Sequence, residues 1–326
     1  ADSVTRSYHI DVTPPEIMVE YDPAEPVQGK YYNQERTAVV TIRERNFDER
    51  DVDFQITGTD GAFPKIGGWS SSGSGDDTLH VCRVVFREDG DYTFTLAFQD
   101  LAGNRAVYGQ TDEFTIDRTA PELSVAWDNE DSRNEIYYAD SRRAVIDILE
   151  HNFREDQIEV IVTAEKEEAD SGEAGSGEAG SLPAISEWRR EGDHNTAEIN
   201  FSQDGSYTLA VRGWDLAGNE MAEYRTELFV IDQTPPKLVF SDVADQSANN
   251  GEVRPAFRYS DANYDPDGTE ILLSGYRNGQ MEWKGSWRQL ENGMALKLED
   301  FPQVRELDDL YTLQASVRDL AGNQSQ

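Results

Sequence analysis

Short runs in which apolar and polar side chains alternate recur along the whole chain: "HVCRVVF" (His80–Phe86), "YTFTLAFQ" (Tyr92–Gln99), "AVIDILE" (Ala144–Glu150) and "YTLAVRG" (Tyr207–Gly213). Each is rich in Val, Ile, Thr, Tyr and Phe, is bounded by Gly, Pro, Asn or Asp, and repeats with period two, so each predicts a half-buried β-strand. No stretch carries the period of a long amphipathic helix. The chain therefore reads as all-β.

The strands belong to a repeat. "DLAGN" occurs at Asp100–Asn104, Asp215–Asn219 and Asp319–Asn323, each time directly after an alternating run. Around it the other elements recur in a fixed order. A linker comes first: "IDVTPPEIMV" (Ile10–Val19), "IDRTAPELSV" (Ile116–Val125) and "IDQTPPKLVF" (Ile231–Phe240). An apolar run then ends in an acid-x-Asn-aromatic turn at Phe47, Phe153 and, more weakly, Tyr264. A variable middle with a tryptophan (Trp69, Trp188, Trp287) precedes an Asp-Gly turn, the strand leading to "DLAGN" and a closing strand such as "DEFTID" or "ELFVID". The third copy replaces the short Asp-Gly turn by "EDFPQVRELDDLYT" and is the most divergent.

A period of roughly 105–115 residues with about seven strands fits an immunoglobulin-like sandwich. The expected division is an end strand and linker of a preceding repeat over 1–13, then immunoglobulin-like domains at 14–118, 119–232 and 233–326, in tandem in an extended rod. The closing strand of the third lies beyond 326. Tyr92, Tyr207 and Tyr311 sit where a tyrosine corner belongs, and the repeated tryptophans are expected in the core. "EKEEADSGEAGSGEAGSL" (165–182) has no apolar period and is expected to be a mobile acidic insertion; "GGWSSSGSGDD" (Gly67–Asp77) reads as a shorter loop of the same kind. Both termini suggest a fragment of a longer array, with strand exchange between molecules as the alternative.

The combination "YTFTLAFQDLAGN…FTIDRTAPELSV" resembles bacterial Ig-like repeats of large, adhesin-type cell-surface proteins. The resemblance covers essentially the whole chain. It implies an extracellular, non-catalytic tandem scaffold, at the bacterial surface or secreted, that is monomeric within its array. It leaves the ligand open, because immunoglobulin-like sandwiches carry many functions.

Charge narrows the partners. With 64 acidic and 29 basic residues the formal net charge is −35, which repels phosphate backbones and makes nucleic acid an unsuitable partner. No apolar run is long enough to insert in a membrane. The single cysteine, Cys82, lies in a strand and is expected as a buried thiol. The four histidines share no repeat position, and no nucleophile–base pattern or phosphate loop occurs, so no enzyme activity is expected.

In an immunoglobulin-like sandwich the turn after the second strand, the "DLAGN" loop and the incoming linker meet at one pole. Three oxygen-rich sets should follow: Asp11, Glu44, Asn46 and Asp100; Asp117, Glu150, Asn152 and Asp215; Asp232, Asp261, Asn263 and Asp319. Such sets suit a hard cation, calcium above all. Equally, Asp and Asn close turns on their own backbone, with Gly103, Gly218 and Gly322 supplying left-handed positions, and then no cofactor is required. For ligand binding, Trp69 and Trp283 are the candidate aromatic contacts to a host or cell-surface protein or glycan. A stalk, a binding module and the accessory region of a secreted multi-modular enzyme remain the competing functions.

Overall fold

The structure, a computed structural model, describes residues 4–8, 10–165, 182–250, 253–276, 280–283, 287–297 and 310–325. The expected insertion at 165–182 falls almost wholly outside the described residues. Regular structure among the described residues is strand, with a few single 3-10 turns and no α-helix.

The first repeat contains β1 (Glu16–Asp22), β2 (Tyr31–Tyr32), β3 (Arg36–Arg43), β4 (Val52–Gly58), β5 (Lys65–Ile66), β6 (Ser70–Ser72), β7 (Leu79–Phe86), β8 (Gly90–Gln99), β9 (Arg105–Val107) and β10 (Asp112–Ile116). One sheet runs β1-β3-β7-β5 with β6 also on β7; the other runs β2-β10-β8-β4 with β9 on β8. The second repeat contains β11 (Glu122–Trp127), β12 (Tyr137–Tyr138), β13 (Arg142–Leu149), β14 (Ile158–Glu165), β15 (Arg189–Glu191), β16 (His194–Phe201), β17 (Gly205–Gly213), β18 (Tyr224–Arg225) and β19 (Phe229–Ile231). Its sheets are β11-β13-β16-β15 and β12-β19-β17-β14, with β18 on β17. The third contains β20 (Lys237–Ser241), β21 (Ala256–Ser260), β22 (Glu270–Tyr276), β23 (Gln280–Trp283), β24 (Trp287–Leu290), β25 (Gly293–Leu296) and β26 (Leu310–Ser316), in sheets β20-β21-β25-β24 and β23-β22-β26.

Alternation along each strand sends one set of side chains inward from both sheets, and the two sets fill one core. In the first repeat Val40, Ile42, Val84 and Phe86 from one sheet meet Phe94, Leu96, Phe98 and Phe114 from the other. Ile146, Ile148, Ile199 and Phe201 meet Leu209, Val211, Phe229 and Ile231 in the second. Cys82 is buried in the first core, its thiol donating to the Gly67 carbonyl. These are immunoglobulin-like β-sandwiches. One end of each of the first two cores carries an arginine, buried in the first and half-buried in the second, whose guanidinium stacks on aromatic rings: Arg36 lies 3.8 Å from the Tyr21 ring centre, and Arg142 lies 3.9 Å from that of Trp127.

The tyrosine corner forms in the first two repeats, and in the third the residues just before Leu310 and Tyr311 lie outside the described ones. Tyr92 donates to the Glu88 carbonyl at 2.8 Å and Tyr207 to the Gln203 carbonyl at 3.0 Å, whereas Tyr311 is 38% exposed. Tyr207→Phe removes one neutral hydrogen bond and lowers stability by about 1 kcal/mol, read as a shift in the urea midpoint at unchanged slope.

Two short-range expectations need correction. The "GGWSSSGSGDD" stretch is not a free loop: Ser70–Ser72 pairs with β7, and Gly75–Asp77 forms a 3-10 turn. Ladder bonds are made by backbone, so serine side chains hide the strand from a hydropathy pattern, and Asp76 and Asp77 are held by Arg45 and Arg43. The first repeat also has more strands than seven, because two- and three-residue edge pieces are too short to show a period. Among them β2 runs parallel to β10, as β12 does to β19. Thr115 N–H donates to Lys30 O and Asp117 N–H to Tyr32 O, both at 2.9 Å.

Candidate metal centres at the junctions

The "DLAGN" loop is a closed hydrogen-bonded unit. In the first copy Asp100 Oδ1 accepts from the amides of Ala102 and Asn104, at 2.9 and 2.8 Å, and Oδ2 accepts from Asn104 Nδ2 at 2.8 Å. The Asp215–Asn219 and Asp319–Asn323 pairs repeat the Asn contacts at 2.7–2.9 Å. The turn requires φ of +94°, +84° and +94° at Gly103, Gly218 and Gly322, which glycine adopts without steric cost.

Each linker Asp is then tied into this loop and into the turn after the second long strand. Asp11, Asp117 and Asp232 accept through Oδ1 from the amides of Thr13, Thr119 and Thr234. Through Oδ2 they accept from the Nδ2 groups of Asn46, Asn152 and Asn263 at 2.5, 2.6 and 2.8 Å. The second Nδ2 proton of Asn104, Asn219 and Asn323 goes to the backbone carbonyl of the same linker Asp, at 3.2, 2.9 and 2.8 Å. One asparagine thus clamps loop and linker together at every junction.

The structure brings all three predicted sets together. Asp11, Glu44 and Asp100, then Asp117, Glu150 and Asp215, then Asp232, Asp261 and Asp319 each offer one oxygen per residue within 4.8 Å of the others. Asp100, Asp215 and Asp319 are at most 4% exposed, and Glu44 and Glu150 are 6% and 7% exposed. One oxygen of each glutamate accepts an amide, from Asn46 and Asn152 respectively, and no donor among the described residues reaches the other. Burial pushes Asp117, Asp232 and Glu150 up, the last to about 7, and neighbouring carboxylates add to it: Asp215 for Asp117, Asp319 for Asp232, and both Asp117 and Asp215 for Glu150. An open groove of about 470 Å³ runs past the middle set, with His151, Asp193, Asp89 and Asp91 on its walls.

The turn-closing and cation-binding readings are therefore compatible: amides take one oxygen of each glutamate, and each set still offers one oxygen per acid within 4.8 Å of the others. Three carboxylates fit a hard divalent cation, which takes oxygen ligands and would neutralise their repulsion.

The candidate ligand aromatics are placed differently. Trp69 is half-buried, 4.9 Å between ring centres from Phe47. The backbone of Trp283 pairs with Leu273, and its side chain lies outside the described residues.

Two groups escaped the sequence reading. The final Asn of "DLAGN" does the clamping, and its recurrence in all three copies was the available signal. The second group is a donor behind the glutamate: His80 Nε2–H donates to the Glu44 carbonyl at 2.8 Å, and Asn195, at the same register in the second repeat, donates to the Glu150 carbonyl at 2.9 Å. His and Asn share no letter, so their common role was invisible as a repeat.

No protein-family model matches this chain, and no curated protein does. Among solved structures, the Escherichia coli adhesin FdeC aligns at 14% identity over 95% of this chain and 94% of its own, with a TM-score of 0.33. A fragment of Escherichia coli alpha-2-macroglobulin aligns at 10% identity over 96% of both chains, TM-score 0.20. The first three fibronectin-type domains of chicken CNTN1 align at 11% identity over 96% of both, TM-score 0.23. Superposition at these scores carries no argument, so the assignment of immunoglobulin-like sandwiches rests on the chain's own sheets and cores.

Proposed function

We propose that this chain is a non-catalytic stalk module of a bacterial surface protein, in which successive sandwiches are locked in line and each lock takes a calcium ion. The observation that carries this is the threefold repetition of one junction: a linker Asp held by two asparagines beside two further buried or half-buried acids. A side chain used for chemistry is needed once, whereas a fastening is needed at every joint. The calcium part is supported by the donor set and by the spare oxygens of Glu44 and Glu150. An extracellular location fits this part of the reading, since calcium is abundant there. Among the described residues no helix is long and apolar enough to cross a membrane.

Small-angle scattering tests the in-line arrangement. An eight-residue strand spans about 27 Å and the loops at the poles with their linker add about 10 Å per sandwich, so three sandwiches end to end reach roughly 110 Å and give a radius of gyration above about 30 Å. A compact globule of this length would give about 20 Å. The smaller value would mean that the sandwiches fold back on one another, and the stalk reading would fall.

A further inference from the structure

The three "DLAGN" loops share a conformation but not an environment. In the second and third repeats Ala217 and Ala321 are 0% exposed, and Leu216 and Leu320 are half-buried. In the first, Leu101 is 66% exposed and Ala102 is exposed.

The cover at the later loops comes from the preceding repeat. A Cβ built on Gly218 would lie 3.0 Å from Val27 Cγ1, and one on Gly322 would lie 2.6 Å from Arg133 Nη1. Asn134 Nδ2 donates to the Leu320 carbonyl at 2.7 Å. Val27 lies between β1 and β2, and Arg133 and Asn134 lie between β11 and β12, so the same loop of the earlier sandwich seats on the Leu-Ala-Gly of the later one. At Gly103 the nearest atom is Gln99 Nε2 of its own repeat, at 3.7 Å.

We infer that Leu101, Ala102 and Gly103 form a docking surface for the corresponding loop of another sandwich of this kind, placed ahead of the linker. The occupant is specified by continuity: two equivalent surfaces in the same molecule are already filled by that loop, and Asp11 is seated in the first acid set as Asp117 and Asp232 are in theirs. The loop tip varies, apolar at Val27 and polar at Arg133 and Asn134. The socket tolerates this because it offers small side chains and backbone. This inference rests on the stalk reading, since it assigns the first sandwich the same kind of neighbour that the others have.

Thiol accessibility tests it. Cys82 is the only cysteine and is buried, so a thiol introduced by Leu101→Cys or Leu216→Cys reports on its own site. In the chain as it stands, a maleimide should label Leu101→Cys at least about tenfold faster than Leu216→Cys. The same variants are then compared in an extended chain, with residues 14–116 repeated ahead of Asp11 so that the linker keeps its register. The expected result is that labelling of Leu101→Cys slows to the Leu216→Cys rate. If it stays fast in the extended chain while Leu216→Cys stays slow, the docking surface is refuted and the stalk reading survives. Equal, fast labelling of both in the original chain would remove the stalk reading itself. Labelling of Leu101→Cys that slows with protein concentration in the original chain would assign the surface to a second molecule and overturn the in-line assignment.

Discussion

At pH 8, millimolar calcium should raise the melting temperature of the second sandwich by on the order of 10 °C over EDTA, and at pH 5 most of that rise should disappear. The magnitude follows from linkage: an ion at a hundred times its dissociation constant adds about 2.7 kcal/mol, and each kcal/mol moves the midpoint of a domain this size by several degrees. The pH dependence follows from Glu150. Its pKa is pushed up to about 7, first by burial and then by Asp117 and Asp215, against the amide of Asn152 and the nearby His151. In EDTA the folded chain therefore holds a proton that the unfolded chain, with the ordinary glutamate value of 4.5, has released over much of this range. Stability from this group is fully present below the unfolded value and is lost as pH rises through about 7, a loss of about 3 kcal/mol. On the proposed reading calcium would take the place of that proton, so its effect should be largest where the proton is gone. Calorimetry of wild type and Glu150→Gln, each in EDTA and in calcium, checks both parts. The variant should lose the pH dependence and the calcium increment at the middle junction. An unchanged melt in calcium at pH 8 would leave protons and loop amides as the only occupants of the acid sets, and the metal would drop out of the proposal.

Asn219→Ala uncouples the first and second sandwiches and destabilises the second by about 3 kcal/mol, even in calcium. The side chain donates to Asp215 Oδ2 at 2.7 Å and to the Asp117 carbonyl at 2.9 Å. Truncation leaves a buried charged oxygen and a linker carbonyl without their donor, and each loss costs about 1–3 kcal/mol. Two observables should move together: the second sandwich melts earlier as a separate transition, and scattering shows a broader spread of end-to-end distances. Earlier melting with an unchanged distribution would mean that the asparagine serves the loop alone and the linker is held by other bonds. Asn104→Ala, at the first loop, provides the comparison in a sandwich whose socket is bare.

The long strands, the repeat and the meeting of the acid sets were legible in the sequence because each has a periodic or repeated signature. Alternation marks strands that fill a core from one face, and Asp-Leu-Ala-Gly-Asn marks a turn whose first and last side chains bond to each other and to the loop amides. What stayed hidden depends on backbone or on equivalence without identity. The strand at Ser70–Ser72 pairs through its peptide groups, so its side chains announce nothing. His80 and Asn195 do one job with different chemistry. The burial of Arg36, whose guanidinium stacks among Tyr21, Tyr32 and Phe114, is identified only by its neighbours in space. The difference between the Leu101 and Leu216 surfaces cannot be read from two identical loops at all, since it depends on what comes before them.

The parallel pairing of β2 with β10, and of β12 with β19, bears on how such a chain meets tension. A pull on the two ends of a sandwich enters at the linker before β1 and leaves after β10, along the strand axis. The bonds from Thr115 to Lys30 and from Asp117 to Tyr32 lie across that axis, so the load reaches them together in shear instead of opening them one after another. The second sandwich carries the same two bonds, from Val230 to Ile136 and from Asp232 to Tyr138, at 2.8 and 2.9 Å. The amide that resists the pull and the carboxylate that fastens the next sandwich belong to one residue, Asp117 in the first case and Asp232 in the second. Force is thus handed from one sandwich to the next through a single aspartate, with no slack segment between them to stretch first.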